Sequence, residues 1–378
     1  APVIRLVNSL LFEAVKERAT DIHVEPFEDR CEIRFRVDGV LHEKLNLPKT
    51  HQAPLTTRIK VMARMDISER FSPQDGRIGI SVGGRSVDIR VGSVPTRHGE
   101  RLALRLLDKR QGLLTLDQLG MPEKSRNALE GMVSRPYGMI LLTGPTGSGK
   151  TTTLYAILQK LARPEVNIIT VEDPIEYDLP GVGQIQVNEK AGVTFASALR
   201  AILRQDPDII MVGEMRDFET AHMGVQASLT GHLVLSTLHT NDAPSAVVRL
   251  SDMGVEPYLV AGSLLGVVAQ RLVRRTCPSC ASTVEAPPPF RKAGIETVQR
   301  GTGCDRCLGT GYYGRFGLYE LLVMDDALRE AVSKGASSSK IRELAREKGF
   351  KTLWEAGLKR VRQGLTTPEE LLRAVGEA

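Results

Sequence analysis

Gly144-Pro145-Thr146-Gly147-Ser148-Gly149-Lys150-Thr151-Thr152-Thr153 sets two glycines, a lysine and a threonine at G-x-x-x-x-G-K-[ST] spacing. The apolar run Met139-Ile140-Leu141-Leu142-Thr143 precedes it and reads as a buried strand. Leu154, Ile157, Leu158 and Leu161 follow at helical spacing. Strand, glycine loop and helix are the parts of a phosphate cradle. Glycines let backbone N–H groups approach phosphate oxygens, and the helix N-terminus adds partial positive charge. The candidate nucleotide-binding residues are therefore Gly144, Pro145, Thr146, Gly147, Ser148, Gly149, Lys150, Thr151 and Thr152. Lys150 is expected to reach the β- and γ-phosphates, and the Thr151 hydroxyl to hold Mg²⁺. A chance glycine-rich turn lacks the flanking strand and helix.

Working outward, more short apolar strands alternate with helical patterns. Asn167–Val171, Ile209–Val212 and Leu233–Leu235 read as strands; Phe195–Leu203 and Thr220–Ser228 read as helices. Alternation of this kind predicts a doubly wound, mostly parallel sheet with ligands at the strand C-termini. Two of these strands end in acids. Glu172-Asp173-Pro174-Ile175-Glu176-Tyr177 follows one, and Gly213-Glu214 follows another, with Asp206 and Asp208 just ahead of it. Acids placed there can serve the Mg²⁺ shell or the attacking water. Either set alone would pass for a solvated turn. Ser236-Thr237-Leu238-His239-Thr240-Asn241 closes a third strand, so His239 and Thr237 are expected as γ-phosphate sensors, against the commoner structural role of a strand-end histidine. No Asn-Lys-x-Asp guanine-reading motif occurs, so adenine is the expected base.

Four of the five cysteines form two Cys-x-x-Cys pairs, Cys277/Cys280 and Cys304/Cys307. The spacing predicts a tetrahedral zinc site in a reducing compartment rather than two disulfides. Cys31 lies in an alternating strand and is expected to be packed, not reactive.

The net charge of +5 is uneven. Residues 1–110 hold 20 Lys and Arg against 15 Asp and Glu, and the remainder holds 30 of each. Aromatic residues are 4% of the chain, too few to make base stacking a strategy. The first third opens with a helical stripe (Val3, Leu6, Val7, Leu10, Leu11, Ala14, Val15). It continues with hairpins at Asp38-Gly39 and Gly83-Gly84. The expected organisation is an α+β domain at 1–108, a linker at 109–120, a nucleotide-binding domain at 121–273, a cysteine subdomain at 274–320 and a helical segment at 321–378. No stretch is long and apolar enough to span a bilayer, and no signal peptide is visible, so a cytoplasmic chain is expected.

Together these motifs resemble those of the secretion ATPases of the type II / type IV pilus superfamily. Gly144–Thr151 matches their Walker A motif, Glu172–Tyr177 their Asp box, Asp206–Asp217 their atypical Walker B, and Gly231–Asn241 their His box. Arg18-Ala-Thr-Asp-Ile-His23, Pro73-Gln-Asp-Gly-Arg77 and His98-Gly-Glu-Arg101 resemble the domain preceding the motor. The cysteines resemble the zinc subdomain of the assembly-type members, which retraction motors lack. Gln226–Gly231 and Ala269-Gln270-Arg271-Leu272-Val273-Arg274 sit best with the type II secretion branch, and the pilus-extension branch is the close second.

The resemblance implies a RecA-like motor with ATP, Mg²⁺ and Zn²⁺ as cofactors. It implies a homohexamer that works on inner-membrane secretion platform proteins, is peripheral to that membrane through those partners, and drives pseudopilus assembly. It also implies arginine fingers from the preceding domain, with Arg77 and Arg90 first in line and Arg101 and Arg105 behind them. Catalytic roles fall on Glu214, Glu172, Lys150, Arg77, Arg90 and His239, with Glu214 favoured over Glu172 as the water-activating acid. Competing classes are a DNA-translocating motor, a nucleotide-gated scaffold and a small-molecule phosphotransferase. No nucleic-acid partner is expected.

Overall fold

Val7, Leu10, Leu11 and Ala14 line one buried stripe of α1 (Pro2–Lys16), as the helical spacing requires. The stripe packs on a six-stranded antiparallel sheet built from β1 (Ala19–Pro26), β2 (Arg30–Val37), β3 (Val40–Pro48), β4 (Gln74–Val82), β5 (Arg85–Thr96) and β6 (Gly99–Asp108). The strand order is β3-β2-β1-β6-β5-β4. The helix α2 (Gln52–Met62), between β3 and β4, adds Leu55 and Ile59 to the same core. Cys31 is buried within this core, and burial pushes its thiol up to about 11, so it packs as a small hydrophobe.

The computed structural model describes residues 2–108 and 113–376. The chain divides into two units, Ala1–Gly112 and Leu113–Ala378. Of the expected linker, 109–112 lies outside the described residues. Leu116 and Leu119, on a short 3₁₀ turn, are buried with Met121 in the second unit's core, so 113–120 is packed chain.

The second unit holds α3 (Glu123–Val133), β7 (Gly138–Thr143), α4 (Lys150–Leu161), β8 (Ile168–Glu172), β9 (Gly183–Gln186), α5 (Phe195–Ile202), β10 (Ile209–Val212), α6 (Phe218–Leu229), β11 (Leu233–Leu238), α7 (Ala243–Asp252), α8 (Pro257–Ser263) and β12 (Leu264–Thr276). Then come β13 (Ala281–Glu285), α9 (Pro288–Lys292), β14 (Thr297–Gly301), β15 (Tyr312–Val323), α10 (Asp326–Ser333), α11 (Ser338–Glu347), α12 (Leu353–Arg362) and α13 (Pro368–Val375). The main sheet runs β15-β12-β7-β11-β10-β8-β9. Every pairing in it is parallel except β12 with β15.

All six residues of β7 are buried, because helices cover both faces of the sheet. Met139 and Leu141 enter one core, Ile140 and Leu142 the other. Each such side chain contributes about 1.5–3 kcal/mol by burial, which is why this strand reads as a continuous apolar run.

The expected boundaries at 273/274 and 320/321 fall inside β12 and β15. These strands pair without a break from Gly266↔Val323 to Arg274↔Arg315 and end at Thr276↔Tyr312. The cysteine segment is an excursion from this hairpin, carrying its own small sheet of β13 and β14. The helix start read at Thr367-Pro368 is α13, whose N-cap Thr367 accepts the Glu370 backbone N–H. No helix among the described residues is long and apolar enough to cross a membrane.

Candidate functional site

Thr143 ends β7, Lys150 starts α4, and the glycine loop between them follows from packing. Gly144 and Gly149 have φ of +146° and +90°, in the region L side chains avoid. A Cβ on Gly144 would stand 2.5 Å from the Gln270 carbonyl oxygen, and one on Gly149 would stand 2.7 Å from Gln270 Nε2. The loop is therefore pressed against β12, and only glycine fits at its two hinges.

Lys150 is buried, and its Nζ donates to the carbonyls of Gly144 (2.7 Å) and Pro145 (3.2 Å). Burial pulls its ammonium down to about 8; Glu214 opposes that shift and Arg271 adds to it. The buried Ser148 hydroxyl has no hydrogen-bond partner among the described residues. Thr151 and Thr152 are exposed on the first turn of α4, and Pro145, Thr146 and Gly147 are exposed in the loop. An orphaned hydroxyl, an ammonium resting on loop carbonyls and a helix N-terminus fit the phosphates of a nucleotide.

The two candidate acids occupy different surroundings. Glu172 is 3% exposed. One of its oxygens accepts from Thr170 Oγ1 (2.5 Å) and Gln184 Nε2 (3.0 Å), and the other accepts from the Tyr155 hydroxyl. Burial, and then the Glu172 carboxylate, push the Tyr155 hydroxyl up, so it stays a donor. Glu214, at the C-terminal end of β10, is partly exposed and pairs with Arg216 Nη2 at 2.5 Å and His239 Nε2 at 3.4 Å. Asp206 and Asp208 lie at the opposite end of β10. There Asp208 Oδ2 accepts the Asn167 backbone N–H (2.7 Å), and Asn167 Nδ2 donates to the Asp206 carbonyl (2.8 Å). These two acids tie strand starts together on the side away from the glycine loop. Asp217 caps α6 through the Thr220 N–H (2.8 Å).

Of the two expected sensors, His239 is exposed at the C-terminal end of β11. Thr237 is 4% exposed and its hydroxyl donates to the Gly213 carbonyl (2.8 Å), while its own carbonyl accepts from Met215 N (3.1 Å). Thr237 therefore holds the turn that carries Glu214.

The four cysteine sulfurs lie within 4.8 Å of one another. Cys277–Cys304 and Cys280–Cys307 are 3.8 Å apart and Cys304–Cys307 3.7 Å. A tetrahedron with Zn–S bonds of about 2.3 Å has S···S edges of about 3.8 Å, whereas a disulfide needs about 2.05 Å. Cys307 Sγ also accepts the backbone N–H groups of Cys304 (3.2 Å) and Gly311 (3.3 Å), which orient it. The donor set fits zinc.

The candidate arginines sit on the first unit, on the sheet face opposite α1 and α2. Arg77 pairs with Arg90 across β4/β5, Arg90 with Arg105 across β5/β6, Arg105 with Asp21 across β6/β1, and Asp21 with Arg36 across β1/β2. This is one basic row across five strands. Arg105 Nε donates to Asp21 Oδ1 (3.1 Å) and Arg101 Nη2 to Glu25 Oε1 (3.0 Å); Arg77 is exposed and Arg90 half-buried.

Sequence reasoning assigned no site role to Gln270 and Arg271. Both are buried on β12, one and two residues past the last β12–β7 pair, Ala269↔Thr143. Arg271 donates to its neighbour's carbonyl (Nη1 to Gln270 O, 3.1 Å) and to the Asn241 carbonyl (Nη2, 3.0 Å). A polar pair at the end of the apolar run Leu264–Ala269 was the available signal.

Comparison with known proteins places the chain in a family. The family described as type II/IV secretion system protein matches residues 1–373. The type II secretion system protein HxcR of Pseudomonas aeruginosa is 54% identical over 378 residues, covering all of this chain and 78% of that protein. The type II secretion system ATPase E of Vibrio cholerae is 53% identical over 388 residues, covering all of this chain and 76% of that one. Among solved structures, the pilus retraction motor PilT with bound ADP is 28% identical with a TM-score of 0.63, over 96% of this chain and 95% of that one. The ATPase DotB of Legionella pneumophila, at 22% identity, shares the fold with a TM-score of 0.71 over 97% and 94%. The chain belongs to the type II/IV secretion system protein family, as an ATP-hydrolysing member of its type II branch.

Proposed function

We propose that this chain is the motor that converts ATP hydrolysis into pseudopilus assembly during type II secretion, with Glu214 as the water-activating acid. The observation that carries the assignment is the contrast between the two carboxylates. Glu172 has both oxygens taken by buried donors, whereas the partly exposed Glu214 is held at a strand C-terminus by two exposed side chains, Arg216 and His239, and its charge acts on Lys150. A general base needs access to its water.

In this reading the γ-phosphorus is attacked by water, its bond to the β–γ bridging oxygen breaks, and the water proton passes to Glu214. Lys150 moves from the loop carbonyls to the β- and γ-phosphates. Mg²⁺ on the Thr151 hydroxyl would supply charge neutralisation across those phosphates. Arg77 and Arg90 are the fingers for the γ-phosphate, consistent with the basic row they share. Zinc on Cys277, Cys280, Cys304 and Cys307 is structural, since four protein ligands leave no open position. The working assembly is a homohexamer bound to inner-membrane platform proteins.

ATP hydrolysis measured against protein concentration, with mass determined on the same samples, tests this for wild type and Glu214→Gln. Turnover that rises with assembly and collapses in the variant supports it. Concentration-independent turnover that survives the substitution overturns both the assignment and the need for a ring.

A further inference from the structure

We propose that Gln270 is the positioning residue that sets the shape of the phosphate loop and the heading of Lys150. It is 1% exposed and stands beneath both glycine hinges. Its carbonyl oxygen lies against Gly144 and its amide nitrogen against Gly149, and its Oε1 accepts from Thr153 Oγ1 at 2.8 Å. Arg271 in turn holds the Gln270 carbonyl. One side chain thus touches the loop's exit and the first turn of the helix that follows it.

The direction of these contacts explains what they do. Thr153 lies three residues after Lys150, on the same face of α4. Fixing the rotation of that turn fixes where the Lys150 and Thr151 side chains leave the helix. Thr153 is itself fully buried, and its hydroxyl is satisfied by the Gln270 amide oxygen and the Tyr319 hydroxyl, so both hold that turn in place. The residues before Gln270, Val267-Val268-Ala269, are apolar and buried as the sheet requires. A polar amide at the next rung is not asked for by core packing. It is asked for by a loop that must keep one conformation around two glycine hinges, with the buried Ser148 hydroxyl also lying against Gly144.

This inference rests on the reading of Gly144–Thr152 as the ATP site. It is tested on the full chain by titrating a fluorescent ADP analogue with Mg²⁺, with KM, kcat and the melting midpoint of nucleotide-free protein measured alongside. Thr153→Val and Gln270→Leu are each expected to raise Kd and KM about tenfold or more, with a smaller change in kcat. The double variant is expected to be no worse than the worse single one, and Thr153→Ser, which keeps the hydroxyl, to bind within about twofold of wild type. Thr153→Val binding as tightly as wild type, or fully additive losses in the double variant, overturns the proposal. If Gln270→Leu does not fold, the Thr153→Val and Thr153→Ser pair still decides. Lys150→Ala separates the two readings. Wild type binding no more tightly than Lys150→Ala removes the ATP site and this inference with it. Wild type binding normally while Thr153→Val binds equally well removes this inference alone.

Discussion

His239 Nε2 stands 3.4 Å from Glu214 Oε2, bridging the C-terminal ends of β11 and β10, while Arg216 holds the carboxylate's other oxygen. Two cationic or polar neighbours thus fix the acid at the C-terminal end of β10. Glu214→Gln is expected to lower turnover by on the order of 10²–10⁴ with nucleotide binding retained. His239→Ala leaves the acid in place but less well held. It is expected to cost about tenfold in kcat, equivalent to about 1.4 kcal/mol. Single-turnover kinetics with separately measured nucleotide Kd distinguishes the two losses.

Glu172 predicts a different phenotype. Replacing it with Gln puts an amide N–H₂ among three donors, so at least one buried hydroxyl or amide loses its acceptor. The expected cost is about 1–3 kcal/mol of stability, read as a lower denaturation midpoint, with turnover per folded molecule falling less than tenfold. A Glu172→Gln protein as stable as wild type but without turnover would reverse the assignment of the two acids.

Lys150 makes nucleotide binding pH-dependent. Its folded, nucleotide-free pKa is about 8 against an ordinary 10.5. Between those values the unfolded chain holds a proton that the folded loop has shed, so nucleotide-free stability rises with pH across this window. Phosphate restores the ammonium, so binding takes up a proton there and apparent affinity falls by up to about tenfold per pH unit above about 8. Calorimetric titration with ADP in two buffers of different ionisation enthalpy measures that uptake directly. Lys150→Arg, charged throughout, is expected to give a flat profile.

Metal analysis should find one zinc per chain, lost in Cys304→Ser. The single tryptophan, Trp354 on α12, lies 5.8 Å from the Phe290 ring on α9, inside the cysteine excursion. Chelation is therefore expected to change tryptophan emission and to raise hydrogen exchange across 277–311. The amides of β7 and β11 are expected to stay protected, because the main sheet closes without that segment. Loss of protection throughout the sheet would show that the metal holds the whole unit.

Glu370 on α13 is fully buried, and its carboxylate takes hydrogen bonds from Arg274 on β12 and from Arg373. Burial pushes its pKa up, but those bonds outweigh it and leave the folded value below 4.5. The stability it contributes is present above that ordinary value and lost as pH falls through the lower, folded one. Glu370→Ala leaves the Arg274 guanidinium largely buried without its carboxylate, while the half-exposed Arg373 returns to water, and is expected to cost about 3 kcal/mol, measured by urea unfolding at neutral pH.

The parts of this molecule legible in the sequence are those whose chemistry is local. The glycine loop, the cysteine pairs and the helix start at Thr367 each announce themselves within a dozen residues, and strands such as Ile209–Val212 are apolar because both faces are covered. What the sequence could not show depends on which strands become neighbours. Gln270 follows the loop by more than a hundred residues and reaches it only because β12 lies beside β7. The same holds for the two acids, which look alike at their strand ends until Tyr155, Thr170 and Gln184 close over one of them. Thr237 faced the ligand side in the sequence reading, but β11 packs it against β10 and turns its hydroxyl to the Gly213 carbonyl.

The cysteine excursion leaves and rejoins the main sheet at a single rung, Thr276↔Tyr312. A tight hairpin turn at that rung would close β12 onto β15 without rethreading any other strand. The excursion is therefore built as a separable graft on the main sheet. The graft has dependents, however. Phe290 packs on Trp354, and Arg300 pairs with Glu369, so the faces of α12 and α13 are written against it. Removing the excursion would therefore leave those two helices with faces that no longer have a partner.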